Sequence, residues 1–313
     1  MQRINYILVR LLQMLPVALG ITIILFFVVR LIPGDPALIR LGIKATPETI
    51  ENFRRQMGLD QPIMVQYFIF MTKLFKFDLG NSLIYATPVI NLISERLPRT
   101  VVLAVYATTL SILITVPMAL LSAFKKDKPV DQVIRVSFVV ALGMPQFWIG
   151  TVLLMIFSVR LGIFPVSGFG ETWQQTIRHL FLPAMTLAMS QSSWLVRSLR
   201  SDIINVMGSD YVDFARAKGL KERIVNIKHI LRNALLPTVT ILGLNFGKLL
   251  GGSVVVEKIF SLPGMGNLMI ESIFARDYVV IQAITFFFAI IVILINLITD
   301  LLYSVLDPRV TLG

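Results

Sequence analysis

Apolar runs long enough to cross a lipid bilayer recur along this chain, and nothing else in it restricts the fold as strongly. The block Leu19-Gly-Ile-Thr-Ile-Ile-Leu-Phe-Phe-Val-Val29 carries no charge, and Arg10 and Arg30 stand near the ends of its run. Long basic side chains at such ends reach the polar interface. A hydrocarbon core about 30 Å thick takes about 20 apolar residues of helix. Inside it every backbone N–H and C=O has to be satisfied within the protein, so runs of this kind fold as helices. The pattern predicts six spans, at about 7–32, 100–124, 133–159, 180–196, 234–256 and 279–306. Composition agrees: 15% of the residues are charged, against about 25% in a soluble domain.

Several chemistries are excluded early. The chain has no cysteine, hence no disulfide framework, thiolate metal site or Cys nucleophile. Its two histidines, His179 and His229, lie far apart, so no metal site is expected. No Ser, His and Asp arrangement suggests a hydrolase elbow, and no catalytic residue is assigned. The net charge of +11 fits basic cytoplasmic loops and anionic lipid better than nucleic acid. The first apolar run is too long for a signal-peptide core and no small-residue cleavage site follows it, so it is read as a retained span.

Between the spans the punctuation is local. Pro33-Gly34-Asp35-Pro36 stops the first helix. Thr46-Pro47-Glu48 starts a short helix, with Thr46 as N-cap and Pro47 at the first helical position, and Gly58 ends it. Residues 62–77 are apolar and aromatic but interrupted by Lys73 and Lys76, which leaves an interfacial helix, a packed helix or a re-entrant segment open. Gly143-Met144-Pro145 is expected to kink the third span. The chain thus divides into 1–32 (first span), 33–98 (an extracytoplasmic segment with short helices) and 99–313 (a five-helix core).

Six spans put both termini on one side. Lys125, Lys126 and Lys128 fill one short loop, and Arg197, Arg200, Arg216, Lys218, Lys221, Arg223, Lys228 and Arg232 crowd the segment at about 199–233. The opposite short loops hold only Arg160, Arg178, Lys258 and Arg276, while the 33–98 segment, also rich in Lys and Arg, is long and balanced by acids and weighs little in this rule. The positive-inside rule therefore places both termini and the 199–233 segment in the cytoplasm.

That segment is too long for a turn and too apolar on one face for a disordered loop. Ile204, Met207, Tyr211 and Phe214 recur at helical spacing, and Ile224, Ile227 and Leu231 continue an apolar stripe beyond Gly219, which suits a sharp reversal. The residues leave two readings open, a hairpin lying on the membrane surface or a docking element for a soluble partner.

The spacing Asp213-Phe214-Ala215-Arg216-Ala217-Lys218-Gly219 resembles the cytoplasmic Glu-Ala-Ala, three residues, Gly signature of bacterial ABC-importer permeases, with Asp for Glu and Phe for the first Ala. Tyr211 to Leu220 followed by His229-Ile-Leu-Arg-Asn-Ala-Leu-Leu-Pro237 is similar to the dipeptide/oligopeptide/nickel branch. Leu31 to Pro36, Gly58 to Pro62 with Gln66-Tyr67, Asp78-Leu-Gly80, Glu257 to Gly266, Arg276-Asp-Tyr278, Asp300 to Tyr303 and Leu306-Asp-Pro-Arg309 fit it in order. The resemblance implies an all-α, six-helix type I ABC-importer permease fold in the bacterial inner membrane. It implies a heterodimer with a second permease, two cytoplasmic ATPases that bind ATP and Mg, and an extracytoplasmic solute-binding protein. It carries ATPase coupling onto Asp213, Phe214, Ala215, Arg216, Gly219 and Leu220, with Ala215 and Gly219 permitting close approach and Asp213 and Arg216 forming rim pairs. The implied cargo is a di- or oligopeptide, with glutathione and chelated nickel as alternatives.

The chain itself has no phosphate-cradling loop. At its one Gly-Lys pair, Gly247-Lys248, Leu242 stands where the first Gly is needed and Leu249 replaces Ser/Thr. It is therefore expected to be no enzyme and to hold no cofactor. Gly243, Gly247 and Gly251 make a small-residue face, for packing within the bundle or against another subunit. Lys248 and Glu257 bracket the outer part of span five and are the two candidates for a substrate pathway. Lys248 either lines a substrate pathway, snorkels or pairs with Glu257. The rival class, an ion-coupled secondary transporter, predicts paired carboxylates inside the spans, and few acids lie there.

Overall fold

The computed structural model describes residues 2–31, 41, 45–56, 58–76 and 78–306. The expected turn at Pro33–Pro36 and the string Asp307-Pro-Arg309 lie outside the described residues. Twelve α-helices carry the described fold: α1 Gln2–Leu31, α2 Pro47–Gln56, α3 Ile63–Phe75, α4 Val89–Phe124, α5 Pro129–Gly143, α6 Gln146–Leu153, α7 Trp173–Met207, α8 Asp210–Ala217, α9 Glu222–Ile224, α10 Arg232–Ile259, α11 Met265–Phe274 and α12 Tyr278–Leu306. Two π-helical stretches, Leu154–Arg160 and Val225–Leu231, extend α6 and join α9 to α10. No strand occurs among the described residues, only an isolated bridge between Asn81 and Pro88.

Proline chemistry sets several boundaries. Pro47 opens α2, with Thr46 Oγ1 accepting the Thr49 N–H at 3.3 Å as the expected N-cap. Pro62, Pro88 and Pro145 immediately precede α3, α4 and α6. Between α5 and α6 the expected kink is a full break, with the two helices inclined at 106°. Met144 is extended (φ −85°, ψ 128°), because a residue before proline is pushed out of the α region.

By length and apolarity, three helical stretches among the described residues qualify as membrane spans: Val89–Phe124, Glu222–Ile259 and Tyr278–Thr299. The α5–α6 pair makes a fourth if the two are one span. α1 is apolar over the shorter stretch Leu12–Val28. α7 starts well before the expected span, because Thr172 and Gln175 form a capping box, with Thr172 Oγ1 accepting the Gln175 N–H at 3.3 Å and Gln175 Oε1 accepting the Thr172 N–H at 3.2 Å.

α7 is the centre of the packing. It lies along α4, α5, α6 and α10, α10 in turn packs on α12, and α12 on α1. Leu180, Ala184 and Leu187 of α7 meet Leu103 and Ala107 of α4, Leu249 and Val256 of α10 and its C-cap Phe260 in one core. Its polar stretch Ser190-Gln-Ser-Ser193 is tolerated because it faces protein: the Ser192 and Ser111 hydroxyls bond at 3.1 Å across the α7–α4 contact. Residues 63–75 form a helix that lays one face on α1, where Tyr67 and Phe70 lie against the Phe26 ring and the Thr22 and Tyr67 hydroxyls bond at 3.0 Å, while Met64, Phe68 and Phe75 are exposed. At 13 residues it spans about 20 Å, short of a bilayer core.

The glycine face of α10 packs inside this chain. A Cβ on Gly243 would collide with Thr299 of α12, and one on Gly247 would touch Val292, whereas Gly251 has open space. Gly243→Leu is expected to destabilise the protein by about 1–3 kcal/mol through overpacking, while Gly251→Ala leaves thermal unfolding in detergent unchanged. Equal melting curves for both variants would contradict this packing.

Candidate functional site

The signature segment begins where α7 stops. α7 ends at Met207, Gly208 caps it, and Ser209 starts α8 in an extended conformation. This interruption offsets Ile204 and Met207 from Tyr211 and Phe214, so the expected single stripe is split. Asp210 and Asp213 occupy the first turn of α8 and Arg216 its last, each favoured there by the helix dipole. Gly219 has φ +74°. Its N–H donates to Arg216 O at 2.8 Å and the Leu220 N–H to Ala215 O at 3.4 Å, a Schellman ending that requires a left-handed residue. The expected reversal at Gly219 is thus present, and it fixes the angle between α8 and α9.

The segment has two distinct faces. Val212, Ala215, Val225 and Ile230 are buried against Ala119 and Ala123 of α4, Leu199 and Ile203 of α7, and Ala234 of α10. The opposite face exposes Tyr211, Phe214 (62%), Leu220, Ile224 and Ile227. Ala215 is therefore turned inward: its small side chain lets α8 sit against this chain's own helices and is not offered to another molecule. Leu231 likewise does not share the buried face of Val225 and Ile230. The Arg216 guanidinium bridges Asp213 at 3.4 Å and Glu222 at 3.2 Å, which ties α8 to α9 across the turn. Lys218 Nζ lies 4.5 Å from the centre of the Phe214 ring. The result is a rigid, charged elbow that presents large apolar side chains, a surface of the kind that marks an interaction site.

The two residues expected near a pathway part company. Lys248 is exposed, midway along α10. Glu257 lies nine residues on, about 14 Å of helix rise, so the two do not pair. Glu257 is 1% exposed. Its Oε1 accepts the Thr100 hydroxyl at 2.8 Å, and its Oε2 accepts the N–H groups of Gly266 at 2.7 Å and Asn267 at 3.1 Å. It satisfies the Gly266 and Asn267 amides of α11 and pins α4, α10 and α11 together. Asp277, from the quoted Arg276-Asp-Tyr278 string, is buried as well and accepts from the Ser82 hydroxyl and from Ile84 N at 3.2 Å. His179 Nδ1 is 2.9 Å from Ser167 O. No group of three or more His, Cys, Asp or Glu that could hold a metal occurs among the described residues.

The residue patterns missed Thr100, Ser82 and Asp131, and read Arg200 only as one of the basic residues of the 199–233 segment. Single hydroxyls and lone charges give no periodic signal, and only the fold shows what they meet.

Comparison with known proteins places this architecture. The family described as binding-protein-dependent transport system inner membrane component matches residues 115–312, and its N-terminal companion matches residues 3–104. The chain is 42% identical over 312 residues to the oligopeptide transport system permease protein AppB of Bacillus subtilis, covering 97% of this chain and 98% of that protein. It is 39% identical over 307 residues to the glutathione transport system permease protein GsiC of Salmonella choleraesuis, covering 98% and 99%. Its fold matches a chain of the inward-facing MetNI methionine ABC transporter with TM-score 0.59, at 14% identity over 69% of this chain and 96% of that one. The chain belongs to the family of inner-membrane components of binding-protein-dependent transport systems, and is a multi-pass permease subunit rather than an enzyme.

Proposed function

We propose that this permease imports di- or oligopeptides by alternating access, driven by ATPase subunits that dock on the α8–α9 elbow. The observation that carries the coupling reading is the two-faced elbow itself. One face is welded to α4 and α7, and the other holds Phe214, Leu220, Ile224 and Ile227 out beside the Asp213–Arg216–Glu222 rim. A rigid knob with a charged rim transmits a push from a partner that closes on ATP. The relatives named for oligopeptide and peptide transport support the substrate class; those named for glutathione, itself a short peptide, support a second reading within it.

In this reading α1, α4, the broken α5–α6 pair, α7, α10 and α12 are six spans, with both termini and the elbow cytoplasmic. Residues 1–32 form the first span, 33–98 the extracytoplasmic segment and 99–313 the core, with coupling at about 199–233. The complex holds a second permease, two ATPases that bind ATP and Mg, and an extracytoplasmic binding protein. Asp213, Phe214, Arg216, Gly219 and Leu220 serve coupling, and Lys248 faces the solute path.

Purification of the tagged chain in mild detergent, with the adjacent-encoded subunits coexpressed, is expected to bring down a nucleotide-binding subunit; recovery of the permease alone would overturn the proposal. Within that complex Gly219→Val strains the left-handed turn by about 1–2 kcal/mol and swings α9 away. Membrane insertion stays intact while peptide uptake falls on the order of tenfold. Uptake and peptide-stimulated ATP hydrolysis equal to those of the unmodified complex would argue against a role for the turn.

A further inference from the structure

The elbow packs on α4 and α7, whereas the break that interrupts the membrane region lies between α5 and α6. A buried ion pair joins the two. Asp131, in the first turn of α5, is 0% exposed. Its Oδ1 accepts Arg200 Nε at 2.8 Å and its Oδ2 accepts Arg200 Nη2 at 2.6 Å, a side-on bidentate contact between α5 and α7. Ser122, near the end of α4, donates its hydroxyl to Asp131 Oδ1 and accepts Arg200 Nε at 3.0 Å. The Asp127 N–H fills the remaining site on Oδ2 at 3.0 Å. Three helices therefore meet at one fully hydrogen-bonded carboxylate.

Arg200 is well placed to feel the elbow. Its neighbours Leu199 and Ile203 on α7 share one buried cluster with Val212 and Ala215 of α8. At the far end of α5, beyond the break, Gln146 Nε2 donates to Ser190 Oγ of α7 at 3.2 Å. Its amide also lies against Gly252 of α10, where an added Cβ would stand 3.2 Å from Gln146 Oε1. α5 is thus fastened to α7 at its start, and the first residue of α6, across the 106° break, is fastened to α7 as well.

We propose that Asp131 and Arg200 are positioning residues for coupled transport, which lock α5 to the turn of α7 that receives the elbow's push, so that displacement of α8 reaches the α5–α6 break. This rests on the elbow being the ATPase docking site. A bidentate arginine–carboxylate contact fixes both distance and orientation, whereas an apolar contact at the same place lets the helices slide. Without the lock, the exposed loop at 125–128 takes up the movement, and ATP is hydrolysed without displacement at the break.

The choice of variants separates this role from mere stability. Removing one member of a buried pair strands the other charge, but replacing both by apolar residues of similar volume is often neutral for folding. The complete complex, with ATPases and binding protein, is reconstituted in liposomes, and ATP hydrolysed per peptide imported is measured beside the melting temperature. Asp131→Asn is expected to lower the melting temperature and raise the ratio. The double variant Asp131→Leu/Arg200→Met is expected to regain part of the melting temperature, the Ser122 hydroxyl and Asp127 N–H still lacking their acceptor, while its ratio stays on the order of tenfold above that of the unmodified complex. A double variant with both values restored would overturn the proposal. Arg200→Lys, which keeps the charge and loses the bidentate geometry, gives an independent check: assembly is retained and the ratio rises several-fold, and an unchanged ratio would also overturn it. If the unmodified complex shows no peptide-stimulated hydrolysis, it is the importer reading that fails.

Discussion

Replacing Glu257 by leucine is expected to lower stability by about 3 kcal/mol or more, the largest effect of any single change considered. Its carboxylate accepts from Thr100 Oγ1 and from the Gly266 and Asn267 N–H groups in a site with almost no solvent access. A hydrogen bond to a charged group contributes about 1.5–3 kcal/mol, and each buried donor left without an acceptor costs about 1–3 kcal/mol. Leucine removes the acceptor from three donors at once. The Gly266 and Asn267 N–H groups at the α11 N-terminus are then orphaned, and of its first three amides only that of Met265 keeps an acceptor, Thr100 Oγ1 at 2.9 Å. Thermal unfolding of the purified protein measures the loss, and hydrogen exchange at Gly266 and Asn267 locates it. An unchanged melting curve with the same protection at those amides would show that Glu257 does not hold α11.

Phe214→Ala is expected to weaken docking of the ATPase by about 2 kcal/mol or more, roughly thirtyfold in dissociation constant, with no loss of permease stability. The ring projects from α8 with 62% of its surface exposed and makes no part of the core beneath the elbow. Large aromatic side chains at the centre of an interface carry most of its binding energy. Titration of the permease with the ATPase subunit in detergent measures the change. An affinity equal to that of the unmodified protein would remove Phe214 from the interface. Ala215→Val, one residue on, has the opposite signature: it overpacks α8 against Ala119, Ala123 and Leu199 and lowers stability.

The elbow shows how far residue patterns reach. The Gly219 turn was readable because a left-handed Schellman ending is a property of the local backbone, and glycine is the residue that adopts it without cost. The faces on either side of it were not readable. Ile224, Ile227 and Leu231 satisfy helical spacing, yet Val225 and Ile230 are the buried pair, because a π-helical stretch replaces regular α-helix there. The hydropathy of α7 understated its length for a related reason. A helix surrounded by other helices can carry serines and an arginine where another chain segment satisfies them, as Ser111 does for Ser192 and Asp131 for Arg200. At 143–145 the proline was visible, but whether a helix kinks or breaks there depends on what holds each half. Gln146 is held by Ser190, forty-four residues away.

By itself the amino-acid sequence determined the membrane class, the helical architecture, the permease family and the reversal at Gly219, because long apolar runs, motif order and left-handed turns act through neighbouring residues. Only the tertiary structure decided that Ala215 faces inward and Phe214 outward, that Glu257 holds α11, and that Asp131 meets Arg200 across α5 and α7. The Glu257–Thr100 and Asp131–Arg200 contacts join residues far apart in the chain, and the facing of Ala215 and Phe214 follows from which distant helices lie beneath the elbow. A buried carboxylate takes whatever role its donors assign, and those donors become neighbours only when the helices pack.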